Sequence, residues 1–440
     1  MQNEKVVETK ICKHCETKFE ITNRDLEFYE KVSPVFAWKK YNIPTPKFCP
    51  DCRQQRRLSF RNERKLYKRI CYATGKQIVS IYSPDKLYKV YDQEIWWSDK
   101  WDALDYWRDF DFNKSFFEQF NELMKEVPRI SVLNWVSENS DYTNHCYNNK
   151  NCYLIFDGSY NENGLYATTL HYSTNCTDCD ISYKSDNCYQ CQNITNCSKC
   201  YYSRNLTDSY NCYYCLDCIW CKNCFWITNK SNQEYLIYDK KVSREEFESF
   251  IKNNLIIDAK KNIFPKRIVK NLNNINCENS LWDNLINVKD SLYVFDCNEI
   301  EDVKYSCKIS KWKKCYDYDI WWENSENIYE VHCTGTASNI MFSNVIWGNS
   351  NNIFYSDNCL TSNLNLFWCV WLKNKSYCIL NKQYTKEEYE ILVPKIIENM
   401  MKTWEWWEFF PSSISPFGYN ETVAQEYFPL NREEILKKMI

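Results

Sequence analysis

The chain has 440 residues, a formal net charge of −3, and 26 cysteines against only 6 glycines. That length accommodates two or three domains with a sizeable buried area, and the near-neutral balance excludes a uniformly basic nucleic-acid binder or an acidic tail. The opening MQNEKVVETKIC lacks the apolar core of a secretory signal, and no run approaches the roughly 20 apolar residues of a membrane span. The expectation is a soluble cytoplasmic protein without a membrane partner, whose cysteines are metal ligands or small buried side chains rather than a disulfide framework.

In chain order, the first motif is a pair of knuckles, C-K-H-C at Cys12 and Cys15 and C-P-D-C at Cys49 and Cys52. Four thiolates close a tetrahedral shell, so one structural Zn2+ is expected, supplying folding energy that few apolar residues could provide. Between the knuckles, FEITNRDLEFYEK predicts a strand and then a helix capped by Thr22 or Asn23. Residues 10 to 57 resemble a small zinc-ribbon family in which a Cys pair, an E-F-Y helix and C-P-D-C-R recur in this order. His14 is expected to be a bystander inside the first knuckle. Cys71 stands alone in RICYATGKQI, as a remnant of a second ribbon or as a plain buried thiol.

The second knuckle runs into RQQRRLSFRNERKLYKR, which places Arg53, Arg56, Arg57, Arg61, Arg64, Lys65, Lys68 and Arg69 on a stretch expected to be helical. Such a face could track a phosphate backbone, or it could be a solvated helix surface. Residues 1–69 are therefore assigned to a zinc ribbon with a basic helix, and 70–138 to a mixed connecting domain. In the latter, SFFEQFNELMKEVP is a helix with Ser115 as cap, Glu118 three residues on and Pro128 as terminator.

All thirteen cysteines between residues 139 and 230 share one phase of a three-residue period, and the segment can be written in twelves such as NCYQCQNITNCS and KCYYSRNLTDSY. A helix needs a period near 3.6 and a flat strand one of 2. A narrow β-solenoid satisfies a period of 3, with twelve-residue coils about 4.8 Å apart and small residues turned inward. A wider parallel β-helix with 24-residue coils is the other geometry considered. Asn at the first position of each twelve suits a left-handed corner and an amide ladder. The inward cysteines, among them Cys176, Cys188, Cys200, Cys212 and Cys224, are read as reduced packing residues. The pattern resembles the coils of beetle hyperactive antifreeze proteins, without their rows of threonine.

After this first Cys-rich solenoid (139–230), 231–278 is expected to be a helical cap and linker. A second solenoid (279–373) keeps the step less strictly and slips near 327, and 374–440 forms another helical cap and a C-terminal tail. NKSNQEYLIYDKKVSREEFE and NKSYCILNKQYTKEEYE align, and each contains a capping box, Ser243 with Glu246 and Thr385 with Glu388. This reads as an internal duplication. The fold class is thus mainly β, a zinc ribbon followed by two capped β-solenoid modules.

The order of ribbon, basic run, WWSDKWD, Cys/Asn/Tyr-rich repeats, NKQYTKEEYE and PFGYNETVAQEYFPL resembles an uncharacterised repeat family of candidate-phylum bacteria, which brings no activity with it. Where the resemblance implies glycine, the chain has Trp38, Trp107, Trp220, Trp226, Trp368, Trp371 and Trp407. With 18 tryptophans in all, several of these read as UGA codons decoded as glycine in the source organism. Trp312 and Trp321 fall on inward phases, where an indole is expected to open the coil or shift its register. Trp96, Trp97 and Trp101 read as authentic.

No catalytic residues are assigned, because the four histidines share no motif with a nucleophile and no phosphate-cradling loop exists. The expected function is an intracellular zinc-binding scaffold whose partner is an unspecified protein or nucleic acid, with no small-molecule cofactor. The alternatives are a nucleic-acid-associated protein binding through the ribbon and residues 53–69, and a carbohydrate-active β-helix enzyme.

Overall fold

The computed structural model describes residues 4–254, 271–321 and 326–438. It divides into two compact units, residues 132–270 and residues 1–131 with 271–440. Both carry solenoid coils, which among the described residues run over 134–237 and 275–379.

At the N-terminus, β1 (Val6–Ile11) and β2 (Lys18–Thr22) form an antiparallel hairpin with Ile11 opposite Lys18. Helix α1 (Asn23–Val32) follows under a capping box, in which the Asp25 amide donates to Thr22 Oγ1 and the Thr22 amide donates to Asp25 Oδ2. A short hairpin, β3 (Val35–Phe36) with β4 (Lys39–Lys40), precedes α2 (Pro50–Leu58). Proline at its first position needs no N–H partner, which fixes where α2 begins. A third hairpin, β5 (Tyr67–Ile70) with β6 (Gln77–Ser80), leads to α3 (Gln93–Trp97) and α4 (Phe116–Glu126). Ser115 caps α4 as expected, and Phe116, Phe120, Leu123 and Met124 are buried.

In the unit spanning 132–270, successive strands pair in parallel at a constant offset of twelve, Ser182 with Ile194 and Ile194 with Leu206. The narrow coil is therefore the correct geometry. Every third residue is left-handed, as in Asn187, Gln190, Asn193 and Asn196, all at φ between 50° and 53°. Each coil is a four-sided figure with three residues per side and a left-handed corner at the end of each. An ordinary L-residue there costs roughly 1–2 kcal/mol, and Asn and Asp cost less. Asparagine also recovers a bond: the amides of Asn139, Asn151 and Asn163 each donate to the side chain one coil on. Backbone amides pair with both neighbouring coils, Tyr189 N with Cys200 O and Gln190 N with Thr177 O. Outside, tyrosines stack coil on coil, Tyr160 on Tyr172 and Tyr202 on Tyr214 at 4.8 Å. The last strand, Glu234–Ile237, turns back through Lys240–Lys241 into α5 (Arg244–Asn254).

In the other unit, coils begin at Ile275, which pairs with Ile286, rather than at 279. The offset is twelve from Val294 to Ser306 and thirteen from Cys315 to Ile328, which locates the expected slip. It then varies, twelve for Ile328 to Ile340, thirteen for Ile340 to Ile353 and Ile353 to Leu366, and twelve for Leu366 to Cys378. The strand Ser376–Ile379 turns through Lys382–Gln383 into α6 (Lys386–Lys402), in the same register as the hairpin before α5.

Two expectations about tryptophan meet different outcomes. Trp220, Trp226, Trp368 and Trp371 sit at left-handed corners, and Trp38 and Trp407 are left-handed as well, whereas Trp107 has φ −59°. Trp312, by contrast, lies inside the coil, 1% exposed and 4.6 Å from the ring of Tyr318, without opening it. Towards the preceding coil the offset stays twelve, the Tyr318 amide donating to Ser306 Oγ, while the step to the following coil is thirteen, Tyr318 with Val331. The lumen of this run is thus not restricted to small residues. The indole is accommodated with its Nε1–H unbonded. The side chain of Trp321 lies outside the described residues.

Candidate metal centre and the buried basic helix

The two knuckles meet. The Sγ atoms of Cys12, Cys15, Cys49 and Cys52 all lie within 4.8 Å of one another, with Cys15 and Cys49 at 3.6 Å. Tetrahedral coordination at about 2.3 Å places sulfurs roughly 3.8 Å apart, so the tetrad fits a thiolate-bound metal. Cys12 leaves β1, and its sulfur accepts the backbone N–H groups of His14 and Cys49 at 3.5 and 3.3 Å. Cys49 caps α2 and Cys52 lies on its first turn. A thiol hydrogen bond from Cys52 drives Cys49 well below the usual thiol range, and the same bond pushes Cys52 up. Adjacent thiols cannot all ionise unaided, and a cation removes that conflict. The four converging atoms are sulfurs, so the His14 ring is not among them.

The basic stretch corrects the sequence reading twice. It is not one helix, since α2 ends at Leu58 and Lys68 and Arg69 lie on β5. Nor is it a surface. Arg53, Arg57 and Arg61 are at most 1% exposed. Arg53 and Arg57 grip Asp317, at 2.9 and 3.3 Å, and Arg57 also holds Asp319 at 2.8 Å. Arg56 pairs with Glu330 and Glu408, at 2.8 and 3.0 Å. Arg61 pairs with Glu63 at 3.0 Å and lies 3.5 Å from His332 Nε2. Burial pulls Arg57 down, but Asp319 and Asp317 more than offset it, so the guanidinium stays charged. Of the remaining cations, Arg64 pairs with Glu426, and Arg69 donates to the carbonyls of Ser83, Lys86 and Tyr88. That leaves Lys65 and Lys68 as the exposed cations of the eight outside these contacts, too few to track a phosphate backbone.

The acidic partners escaped the sequence reading because Asp317 and Asp319 look like solvent-facing coil positions in KCYDYDI. A cluster of carboxylates on one coil, in a chain with an unmatched basic run, was the available signal. His332 is neutral for the same reason, its pKa lowered to about 3 by burial and by Arg61. Its Nδ1 is 2.7 Å from Asn344 Oδ1.

The inward cysteines Cys176, Cys188, Cys200, Cys212 and Cys224 are buried free thiols in one column. Each sulfur donates to backbone carbonyls, Cys188 to Asp186 O at 3.4 Å and to Cys197 O at 3.8 Å. A second feature was not anticipated: a cavity of about 530 Å³ whose wall is an amide ladder, Asn327 to Asn339 to Asn352 to Asn365, facing Phe36 and Tyr377. Among the described residues no helix is long and apolar enough to cross a membrane. No family model, no curated protein and no solved structure matches the chain, so the site rests on its own geometry.

Proposed function

We propose that the protein is a zinc-stapled β-solenoid scaffold, in which the metal serves structure rather than catalysis. The observation that carries this is the position of Cys49 and Cys52 at the start of α2, the helix whose arginines grip Asp317 and Asp319. A metal there ties the β1–β2 hairpin to the helix and so orients the arginine clamp on the coils. Four sulfur ligands leave no open coordination position for a substrate, and their number and softness favour zinc. The hairpin-plus-helix endings at 234–254 and 376–402 fit a duplicated module whose open coil edges are capped. Buried free thiols fit a reducing cytoplasm, and the exposed tyrosine and asparagine rows offer the binding surface for a macromolecular partner. The burial of Arg53, Arg57 and Arg61 removes the support that nucleic-acid binding had drawn from charge.

Metal analysis of the purified protein should give one zinc per chain, and Cys49→Ser should lose it and lower the unfolding temperature. A metal-free protein of undiminished stability would overturn the assignment.

A further inference from the structure

The lone Cys71 lies in a second copy of the metal-binding ribbon. Its hairpin matches the first bond for bond. The Cys12 amide donates to Thr17 O and the Glu16 amide to Cys12 O. Likewise the Cys71 amide donates to Lys76 O and the Gly75 amide to Cys71 O. The strands flank the turn in the same register, Ile11 opposite Lys18 and Ile70 opposite Gln77. Glu16 and Gly75 occupy the same left-handed position, at φ 61° and 69°.

The correspondence extends to the helix that closes each ribbon. The Lys13 amide donates to Lys47 O, and the Tyr72 amide donates to Val90 O. Two residues further on, the Cys49 amide donates to Cys12 Sγ at 3.3 Å and the Asp92 amide donates to Cys71 Sγ at 3.2 Å. Cys49 caps α2, and Asp92 caps α3. The positions of Cys12, Cys15, Cys49 and Cys52 are therefore taken in the second ribbon by Cys71, Thr74, Asp92 and Ile95.

We infer that residues 67–97 are a duplicated ribbon that has given up its metal and is closed by hydrogen bonds instead. In place of the second thiolate pair, the Asp92 carboxylate caps α3 by accepting the Glu94 amide at 2.9 Å. Ile95 puts a hydrocarbon where a fourth ligand would stand. The scaffold around the vacated positions is kept, so cysteines restored there should gather a second metal ion of the same thiolate-loving class. The inference takes from the proposed function only the idea that the first tetrad binds metal, and its own outcome is read separately.

The test is metal stoichiometry, with Co2+ as a spectroscopic probe of tetrahedral thiolate, in the full chain and in Thr74→Cys/Asp92→Cys/Ile95→Cys. The variant should bind one metal more than the parent, and keep that extra ion when Cys12→Ser and Cys49→Ser are added. If the parent binds none, the proposed function fails, while the gain in the variant still decides this inference. Should the triple variant not fold, Thr74→Cys/Ile95→Cys, which retains the Asp92 carboxylate as a fourth ligand, is read in the same way. A folded variant with no extra metal overturns the inference. A parent whose metal content drops on Cys71→Ser also overturns it, because the second ribbon would then already be loaded.

Discussion

The two solenoid runs share a backbone and differ in what surrounds it. In the run within 132–270 most outward tyrosines and corner asparagines face solvent or one another, only the last coils being covered where Tyr213, Tyr214 and Phe225 pack with Phe247 of α5, and the lumen holds thiols, serines and a few aliphatic side chains. In the run from 275 to 379, Val, Ile and Leu share the inward positions with Ser and Cys and with the larger Trp312 and Tyr318, and many outward side chains are buried as well. Phe28 of α1 stacks on Tyr316 at 3.8 Å, and the α2 arginines cover Asp317 and Asp319. A bare coil has one buried row per side and so keeps a strict period of three. A covered coil is constrained on both sides of its wall, and its sequence is free to trade phase for complementarity.

That contrast is open to attack at matched corners. Asp208 and Asp317 are both left-handed corner residues, at φ 50° and 55°. Asp317→Ala should cost about 3–5 kcal/mol, because it leaves the buried Arg53 guanidinium without a carboxylate and takes one of the two from Arg57. Asp208→Ala loses only its acceptance of the amide of Asn196 and the indole N–H of Trp220, and should cost about 1 kcal/mol. Denaturant titration of the two variants compares them directly, and equal losses would erase the distinction.

The covered run should also respond to pH. His332 takes a proton near 6.5 in the unfolded chain but only at about 3 when folded, held down by burial and by Arg61, with Arg57 adding and Glu63 opposing. Between those values the unfolded chain binds more protons, so stability is complete above pH 6.5 and declines as pH falls toward 3, by about 1.4 kcal/mol per unit. Glu63, lowered to about 2, adds a loss in the same direction only below its unfolded value of 4.5. Unfolding midpoints at pH 7, 6 and 5 should therefore slope downward in the parent and flatten in His332→Gln.

The lumen of the bare run is the next place to press. Cys188→Leu should overpack it, at about 1–3 kcal/mol. Cys188→Ala should cost less, about 1–2 kcal/mol or under, since one small buried group replaces another. A leucine tolerated as well as alanine would mean that this lumen is as accommodating as the one holding Trp312.

The smallest effect concerns the corner tryptophans. Trp368 is fully buried at φ 64°, has no partner for its Nε1–H, and has its ring centroid only 3.4 Å from that of Phe116. Trp96 and Trp101, by contrast, donate to the carbonyls of Pro128 and Trp96. Glycine at 368 relieves the left-handed strain and the crowding, and Trp368→Gly should raise stability by about 1 kcal/mol. A clear loss on denaturant titration would establish that the indole belongs there, and peptide mass spectrometry of the natively expressed protein reads the residue itself.

How much could be read in advance follows the same division. The twelve-residue coil, the Asn corners and the inward thiols were legible because each is a local rule repeated coil after coil. The Cys tetrad was legible because metal chemistry fixes both residue type and spacing. The arginine clamp was not: Arg53 and Asp317 are 264 residues apart, and nothing local distinguishes a guanidinium destined for burial from one bound for solvent. The second ribbon was half visible, since Cys71 survives in the sequence while its relation to Asp92 exists only as a hydrogen bond.

The left-handed corner at every third residue has a consequence for how such a protein can change its length. Each coil between Asn175 and Asn211 begins and ends at an equivalent corner and bonds its neighbours through the same backbone groups. Excising residues 187–198 would join Asp186 to Lys199 with every remaining corner still in phase, and inserting twelve residues at the same point would do likewise. The run can thus grow or shrink in steps of about 4.8 Å without redesign of what lies at either end.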